Sequence, residues 1–219
     1  MEKQDNIKAI IFDLDGTLLN MHDRYAASYV MAFEEMHVSG MNIYSKEITQ
    51  MRRAGMSGLE IIKRIAPNID EEVLIKVDES RRRIVEETSL LDTDYPIPGL
   101  EELLKNLRKE NIKLAVLTMR RRRSDVERQL EKFSLLYYFD RIVVTEEKHK
   151  GLTEILDEFG VKPEDTILVG DTEDDIKAGY IVGVATVGVL SGLGGRSLLE
   201  KENPSLILDD ITKLKLEPG

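Results

Sequence analysis

The stretch AIIFDLDGTLLN, Ala9 to Asn20, decides how the chain is read. A run of apolar, strand-forming residues breaks into two aspartates, Asp13 and Asp15, with Leu14 between them and Gly16 and Thr17 behind. Side chains of an extended segment alternate between faces, so Asp13 and Asp15 are expected on one side and Leu14 on the other. Gly16 supplies a residue free to turn the backbone sharply off the strand. Two carboxylates in one small space repel, and such a pair calls for a cation or for chemistry that uses both.

Outward from this stretch, short β-rich runs recur: KAIIFD (8–13), KLAVLT (113–118), RIVVT (141–145), TILVGD (166–171), VATVGV (184–189) and SLILD (205–209). Helical patterns lie between the later ones. Leu152, Ile155, Leu156 and Phe159 share one stripe, and Ser124 with Glu127 has the spacing of a capping box ahead of Val126, Leu130 and Phe133. Thr172 is placed to cap a helix over 173–182. Strands alternating with helices predict an α/β fold, a Rossmann-like parallel sheet with helices on both faces.

Residues 20–95 carry no convincing strand. They hold amphipathic stretches instead: Tyr29, Val30, Phe33 and Met36; then Ile61, Ile62 and Ile65 behind the box Ser57-x-x-Glu60; then Val73, Leu74 and Val77 behind Asp70. Pro96 and Pro98 disfavour helix before them, and Gly99 and Leu100 open a new helical pattern. The expected organisation is an α/β core over 1–19 and 96–219, interrupted after its first strand by a small α-helical domain over 20–95.

Ligands of open parallel sheets bind beyond the carboxyl ends of the strands, and there the chain concentrates its unusual residues. The first strand ends in Asp13 and Asp15, the second in Thr118, the third is followed by Lys148 and Lys150, and the fourth ends in Gly170 and Asp171, with Asp174 and Asp175 beyond. Carboxylates gathered this densely suit a hard cation, Mg²⁺ above all. A lysine and a hydroxyl beside such a cation would hold an anion, most simply a phosphate. Asp174 is read as solvated.

The chain has 219 residues, enough to bury a substantial core, and no cysteine, so disulfides, thiolate metal sites and a cysteine nucleophile are excluded. Its formal charge of −10 argues against a duplex nucleic-acid partner. No apolar run approaches the length of a membrane span, and MEKQDNIKAI lacks the layout of a secretory signal. A cytoplasmic protein, monomer or homodimer, is expected.

DLDGTLLN, the strand ending in Thr118, a lysine ahead of a helix and VGDTEDDIKAG, in that order, resemble the four motifs of the haloacid dehalogenase superfamily of phosphohydrolases. The resemblance spans nearly the whole chain and implies a phosphatase for a small phosphorylated metabolite, of the phosphoglycolate phosphatase type, with the helical insert as a cap over the crevice. It implies Asp13 as nucleophile, Asp15 as general acid and then base, Thr118 and Lys148 or Lys150 on the phosphoryl oxygens, and Asp13, Asp15 through its backbone carbonyl, Asp171 and Asp175 as Mg²⁺ ligands. Two departures stand out. No proline follows either lysine, and Met119 stands where many relatives carry asparagine.

Arg120 to Arg123 read as a solvated loop and first helical turn, or, through Arg120 with Arg52 and Arg53, as a clamp on an anionic substrate. The turn RRAGMSG (52–58), with Gly55 and Ser57, is a candidate substrate-facing loop or an ordinary helix connection. His22, His37 and His149 lack metal-ligand spacing and read as surface or hinge residues. A 2-haloacid dehalogenase would resemble this chain at the nucleophile but lacks the second aspartate, and a non-catalytic phosphate binder is the rival of another class.

Overall fold

The computed structural model describes residues 7–38 and 45–216. Most of MEKQDNIKAI, on which the absence of a secretory signal was read, lies outside the described residues.

Strand β1 (Ala9–Phe12) is followed by a two-residue strand β2 (Leu19–Asn20) and by helices α1 (His22–Glu35), α2 (Ser45–Arg53), α3 (Gly58–Ile65), α4 (Glu71–Ile84) and α5 (Thr88–Leu91). A second two-residue strand β3 (Tyr95–Pro96) leads back, and then come α6 (Leu100–Lys109), β4 (Lys113–Thr118), α7 (Arg123–Lys132), β5 (Arg141–Val144) and α8 (Lys148–Phe159). The chain ends through β6 (Thr166–Gly170), α9 (Glu173–Val182), β7 (Ala185–Val189), α10 (Arg196–Lys201) and β8 (Leu206–Leu208).

Six parallel strands form one sheet in the order β5-β4-β1-β6-β7-β8. The alternation of β1 decides which helices cover which face. Ile10 and Phe12 join a cluster with Leu100, Leu104, Val126 and Leu130 of α6 and α7, whereas Ala9 and Ile11 pack with Leu152, Ile155 and Leu156 of α8 and Ala178 of α9. All four β1 residues are fully buried, as the central strand of a doubly covered parallel sheet requires. Each buried Ile or Phe contributes roughly 1.5–3 kcal/mol by burial alone.

Between β2 and β3, which pair antiparallel, the five helices build a second apolar cluster around Tyr29, Phe33, Ile48, Ile61, Ile62, Leu74 and Val77. Ser57 and Glu60 form the capping box that opens α3, and the Asp70 carboxylate accepts from the amides of Glu72 and Val73 at the start of α4. This helical unit reaches the core at the loop after β7: Arg53 donates to the carbonyls of Leu190 and Gly192, each at 2.9 Å, and His22 Nε2 donates to Ser191 O at 2.8 Å.

One helix start differs from the sequence expectation. Ser124 does not cap α7, which begins at Arg123, and Glu127 pairs with Arg123 at 2.7 Å instead of reaching back to a serine cap. An arginine four residues before a glutamate competes for the same carboxylate, and the charge-assisted pair wins.

Candidate active site

The sheet order makes β4, β1 and β6 adjacent, so the carboxyl ends that carry Thr118, Asp13 and Asp171 meet side by side. Asp13 stays tied to β6 past the end of β1, its amide donating to Val169 O at 2.8 Å. Three residues on, Gly16 takes φ +82°, a conformation that an L side chain adopts only with strain, and the chain leaves the sheet toward β2.

Lys148, in the first turn of α8, crosses to Asp13. Its Nζ lies 2.7 Å from Asp13 Oδ1 and also bonds Asp175 Oδ1. Gly151, one turn later, lets α8 approach that closely: a Cβ there would collide with Leu117 of β4 and with Thr145. Asp175 is fixed from its other oxygen, where Oδ2 accepts from the amide of Thr172 at 3.0 Å and from its hydroxyl at 2.6 Å. Asp171 Oδ2 accepts from the Leu193 amide at 2.7 Å, whereas its Oδ1 is buried without a partner.

Asp13, Asp171 and Asp175 thus form a buried cluster in which one oxygen of each lies within 4.8 Å of the others. Three carboxylates face one ammonium, two charges short of balance. Burial, then the neighbouring Asp175 and Asp15, outweigh Lys148 and push Asp13 up to about 7. Burial, with Asp13 and Asp175, pushes Asp171 well above the usual carboxylate range. Burial would lower the Lys148 ammonium, but Asp13 and Asp175 hold it protonated. An uncompensated deficit of two charges, all-oxygen donors and a buried oxygen with no partner fit a small divalent cation, and Mg²⁺ suits such a donor set.

Asp15 belongs to a different cluster. The alternation put it beside Asp13, yet its carboxylate accepts from Arg120 twice, at 2.6 Å from Nε and 2.5 Å from a terminal nitrogen, and from Arg24 at 2.5 Å. Both arginines also bond Asp94, at 2.9 Å from Arg24 and 3.3 Å from Arg120. Burial would raise Asp15, but Arg120 and then Arg24 outweigh it and lower the carboxyl to about 2. In this second cluster the two hydrogen-bonded carboxylates are matched by two guanidiniums, with the Glu86 carboxylate close enough to feel both arginines.

These positions differ from expectation at Arg120 and Lys150. Arg120 neither faces solvent nor clamps a substrate: its side chain is 1% exposed and its guanidinium is taken up by Asp15, Asp94 and Gln129. Only Arg121, Arg122 and Arg123 are exposed. Lys150 points away from the site and pairs with Glu147, its side chain 67% exposed, so of the two lysines Lys148 is the one in the cluster. Three residues along a helix are about 300° of rotation, and Lys150, two residues from Lys148, is about 200° away, on the opposite face. We expect Lys150→Ala to leave turnover and stability unchanged within about 0.5 kcal/mol. Lys148→Ala, by stranding three buried carboxylates, should cost about 3–5 kcal/mol in chemical denaturation; equal behaviour of the two variants would contradict this placement.

Thr118 is buried at the end of β4, its hydroxyl accepting from the Arg120 amide at 3.4 Å. Gly55 and Ser57 are exposed on the helical unit, where Ser57 is occupied in capping α3 and Gly55 lies against Leu198 of the core. Asp174 is exposed, as read from its spacing. Arg24 and Asp94 were missed from the sequence. Neither lies in a motif, and with His22 and Asp23 beside Arg24 and Asp92 and Thr93 beside Asp94, no local pattern singled either out.

Comparison with known proteins agrees with this geometry. The family model described as haloacid dehalogenase-like hydrolase matches residues 10–189. Among curated proteins the chain is similar to pyrophosphatase PpaX of Bacillus cereus (strain AH820), 27% identical over 221 residues, covering 95% of this chain and 94% of that one. Among solved structures it is similar to a haloacid dehalogenase-like family protein of Streptococcus pneumoniae, with TM-score 0.74 at 20% identity over 93% and 94% of the two chains. It is also similar to a predicted phosphoglycolate phosphatase of Haemophilus somnus 129PT, with TM-score 0.71 at 21% identity over 96% of each chain. Among the described residues no helix is long and apolar enough to cross a membrane. With its matched motifs, its sheet and its strand-end carboxylates in place, the chain belongs to the haloacid dehalogenase-like hydrolases.

Proposed function

We propose that the protein is a Mg²⁺-dependent phosphatase that hydrolyses a small phosphorylated metabolite through a phosphoryl group carried on Asp13. The observation that carries this reading is the pair of adjoining clusters: one around Asp13 that lacks two positive charges, and one around Asp15 in which each hydrogen-bonded carboxylate is met by guanidinium. A site short of positive charge beside a lysine and a strand-end threonine accommodates a cation and a phosphoryl group together.

In this reading an Asp13 oxygen attacks phosphorus in line with the leaving oxygen, forming the Asp13–phosphorus bond as the bond to the leaving group breaks. Thr118 and Lys148 hold the phosphoryl oxygens. Asp15 gives a proton to the leaving oxygen and later takes one from the water that hydrolyses the aspartyl-phosphate. Asp13, Asp171, Asp175 and the backbone carbonyl of Asp15 would hold Mg²⁺, which when bound supplies charge against the transferring group. Residues 20–95 act as a cap that excludes water and bulky substrates, with Gly55 and Ser57 near its substrate-facing edge, while 1–19 and 96–219 form the core. The enzyme is cytoplasmic, a monomer or homodimer.

A second reading has its own support. The curated relative named above is called a pyrophosphatase, and the Asp15 carboxyl, lowered to about 2, is ionised near neutral pH and holds no proton ready for a leaving oxygen. A phosphoanhydride, whose leaving group is itself a phosphate, asks little of that donor, whereas an alkyl ester asks much. The haloacid alternative gains nothing, because Asp15 is present and built into a charged network.

The test is phosphate release with and without Mg²⁺ from p-nitrophenyl phosphate, inorganic pyrophosphate and a panel of small phosphorylated metabolites. Metal-dependent release supports a phosphatase, and preference for pyrophosphate over every monoester would move the assignment to the second reading. No phosphate from any of them, with chloride released from 2-chloropropionate without metal, would overturn both.

A further inference from the structure

We propose that Arg24, carried by the cap's first helix, is a positioning residue for Asp15, aligned by Asp94, so that the acid/base carboxylate is set only when that helix is seated on the core. The proposal rests on the reading of Asp15 as the proton donor and acceptor of a phosphatase.

Arg24 and Asp94 flank the hinge. Arg24 lies four residues beyond the end of β2, and Asp94 immediately precedes β3. Every nitrogen of the Arg24 guanidinium is engaged: Nε with Asp94 at 2.9 Å, one terminal nitrogen with Val85 O at 2.8 Å, and the other with Asp15 at 2.5 Å. The first two bonds stay within the inserted segment, so the third points at the core from a fixed base. On the core side Arg120 grips the same carboxylate and is itself braced by Gln129, whose amide donates to Asp94 at 3.0 Å and to Leu91 O at 2.5 Å. Asp15 is therefore held from both sides of the hinge at once.

The burial is uneven in a way that suits this role. The side chains of Arg24, Arg120 and Asp94 are 1%, 1% and 0% exposed, whereas that of Asp15 is 23% exposed. Buried charge networks are a poor means of gaining stability, since desolvation offsets much of the attraction. A fully bonded network with a single open member fixes that member's direction, as a supporting shell does for a reacting group. When a leaving oxygen departs from phosphorus, the proton passes from Asp15 to that oxygen, and the transfer tolerates little misplacement: an error of about 1 Å costs on the order of 10²-fold.

The experiment measures kcat/KM with saturating Mg²⁺ for p-nitrophenyl phosphate, phenyl phosphate and ethyl phosphate, a series of progressively poorer leaving groups. The variants are Arg24→Met, Arg24→Lys, the charge-balanced double variant Arg24→Met with Asp94→Asn, and Asp15→Asn. For Arg24→Met we expect a loss of about 10²-fold on ethyl phosphate and under about fivefold on p-nitrophenyl phosphate, partial recovery in Arg24→Lys, and an unchanged rise of Tm with Mg²⁺. If Arg24→Met does not fold, the double variant, which removes one charge of each sign and leaves the net charge unchanged, and Arg24→Lys carry the same comparison. Equal losses on all three esters in the Arg24 variants, with a graded loss in Asp15→Asn, would overturn the positioning role alone. An equal loss on all three in Asp15→Asn would overturn the acid/base reading of Asp15 and the inference with it.

Discussion

Asp13→Asn should abolish metal-dependent phosphate release, by at least about 10⁴-fold in kcat, while leaving a protein no less stable than the wild type. The first half follows from chemistry: an amide oxygen is a poor nucleophile towards phosphorus, and no neighbouring group takes its place, since Asp171 and Asp175 are fixed by the Leu193 amide and by Thr172. The second half follows from charge. Asp13 sits in a cluster with too many carboxylates, where burial and Asp175 push it up to about 7, so replacing it by a neutral isostere relieves repulsion while Lys148 keeps Asp175 as its partner. Two measurements check this together. Acid-quenched reactions with a ³²P-labelled substrate should trap labelled wild-type protein and no labelled variant, and thermal unfolding without metal should give the variant an equal or higher Tm at pH 8. Turnover within tenfold of the wild type would remove Asp13 as the nucleophile; a large fall in Tm would mean that lost activity reflects lost structure.

The metal-free protein should become less stable as pH rises from about 4 to 7, and Mg²⁺ should reverse this. Asp13 and Asp171 have folded-state pKa values above those of the unfolded chain. Between the unfolded value and the folded one the native state holds more protons than the unfolded state, so stability falls with rising pH. For Asp13, from the ordinary 3.8 to about 7, the contribution is about 4 kcal/mol at most, on the order of 10 °C in Tm for a chain of this size. Asp15 behaves oppositely: lowered to about 2, its contribution is present above pH 4 and is lost as pH falls toward 2. The metal-free optimum should therefore lie near pH 4–5. Mg²⁺ at about 100 times its Kd adds roughly 2.7 kcal/mol, and the increment should grow with pH because protons compete for the same oxygens. Asp171→Asn should raise the metal-free Tm at pH 8 and remove most of the response to Mg²⁺. A flat pH profile, or a variant that responds to Mg²⁺ like the wild type, would contradict the cation assignment.

The strands were legible because their signal is local. KLAVLT coincides with β4 (Lys113–Thr118), and the other strand runs differ from the observed elements by one or two residues at their ends. Leu152, Ile155, Leu156 and Phe159 line one buried stripe of α8 because a period of 3.6 residues can be counted along any chain. Asp13, Thr118, Asp171 and Asp175, with a lysine from Lys148 or Lys150, follow from the same logic, since each stands at or shortly beyond a strand end, and parallel strands bring their carboxyl ends to one edge; the choice of Lys148 came from the fold. Asp15, Arg24, Asp94 and Arg120 could not be assembled in this way. Asp15 and Arg120 are 105 residues apart and Arg24 and Asp94 are 70 apart, and their meeting depends on the direction in which two hinge strands deliver the helical unit. No periodicity encodes that direction. Charged residues read as exposed unless a partner buries them: a guanidinium among three others in Arg120–Arg123 looks solvated until a partner carboxylate and a buried glutamine are brought to it. What one dimension carries here is the strand order along the chain and the chemistry at the strand ends; which of two neighbouring aspartates receives a lysine and which receives two arginines is fixed by packing, because desolvation penalises every charge that the folded chain leaves unmatched.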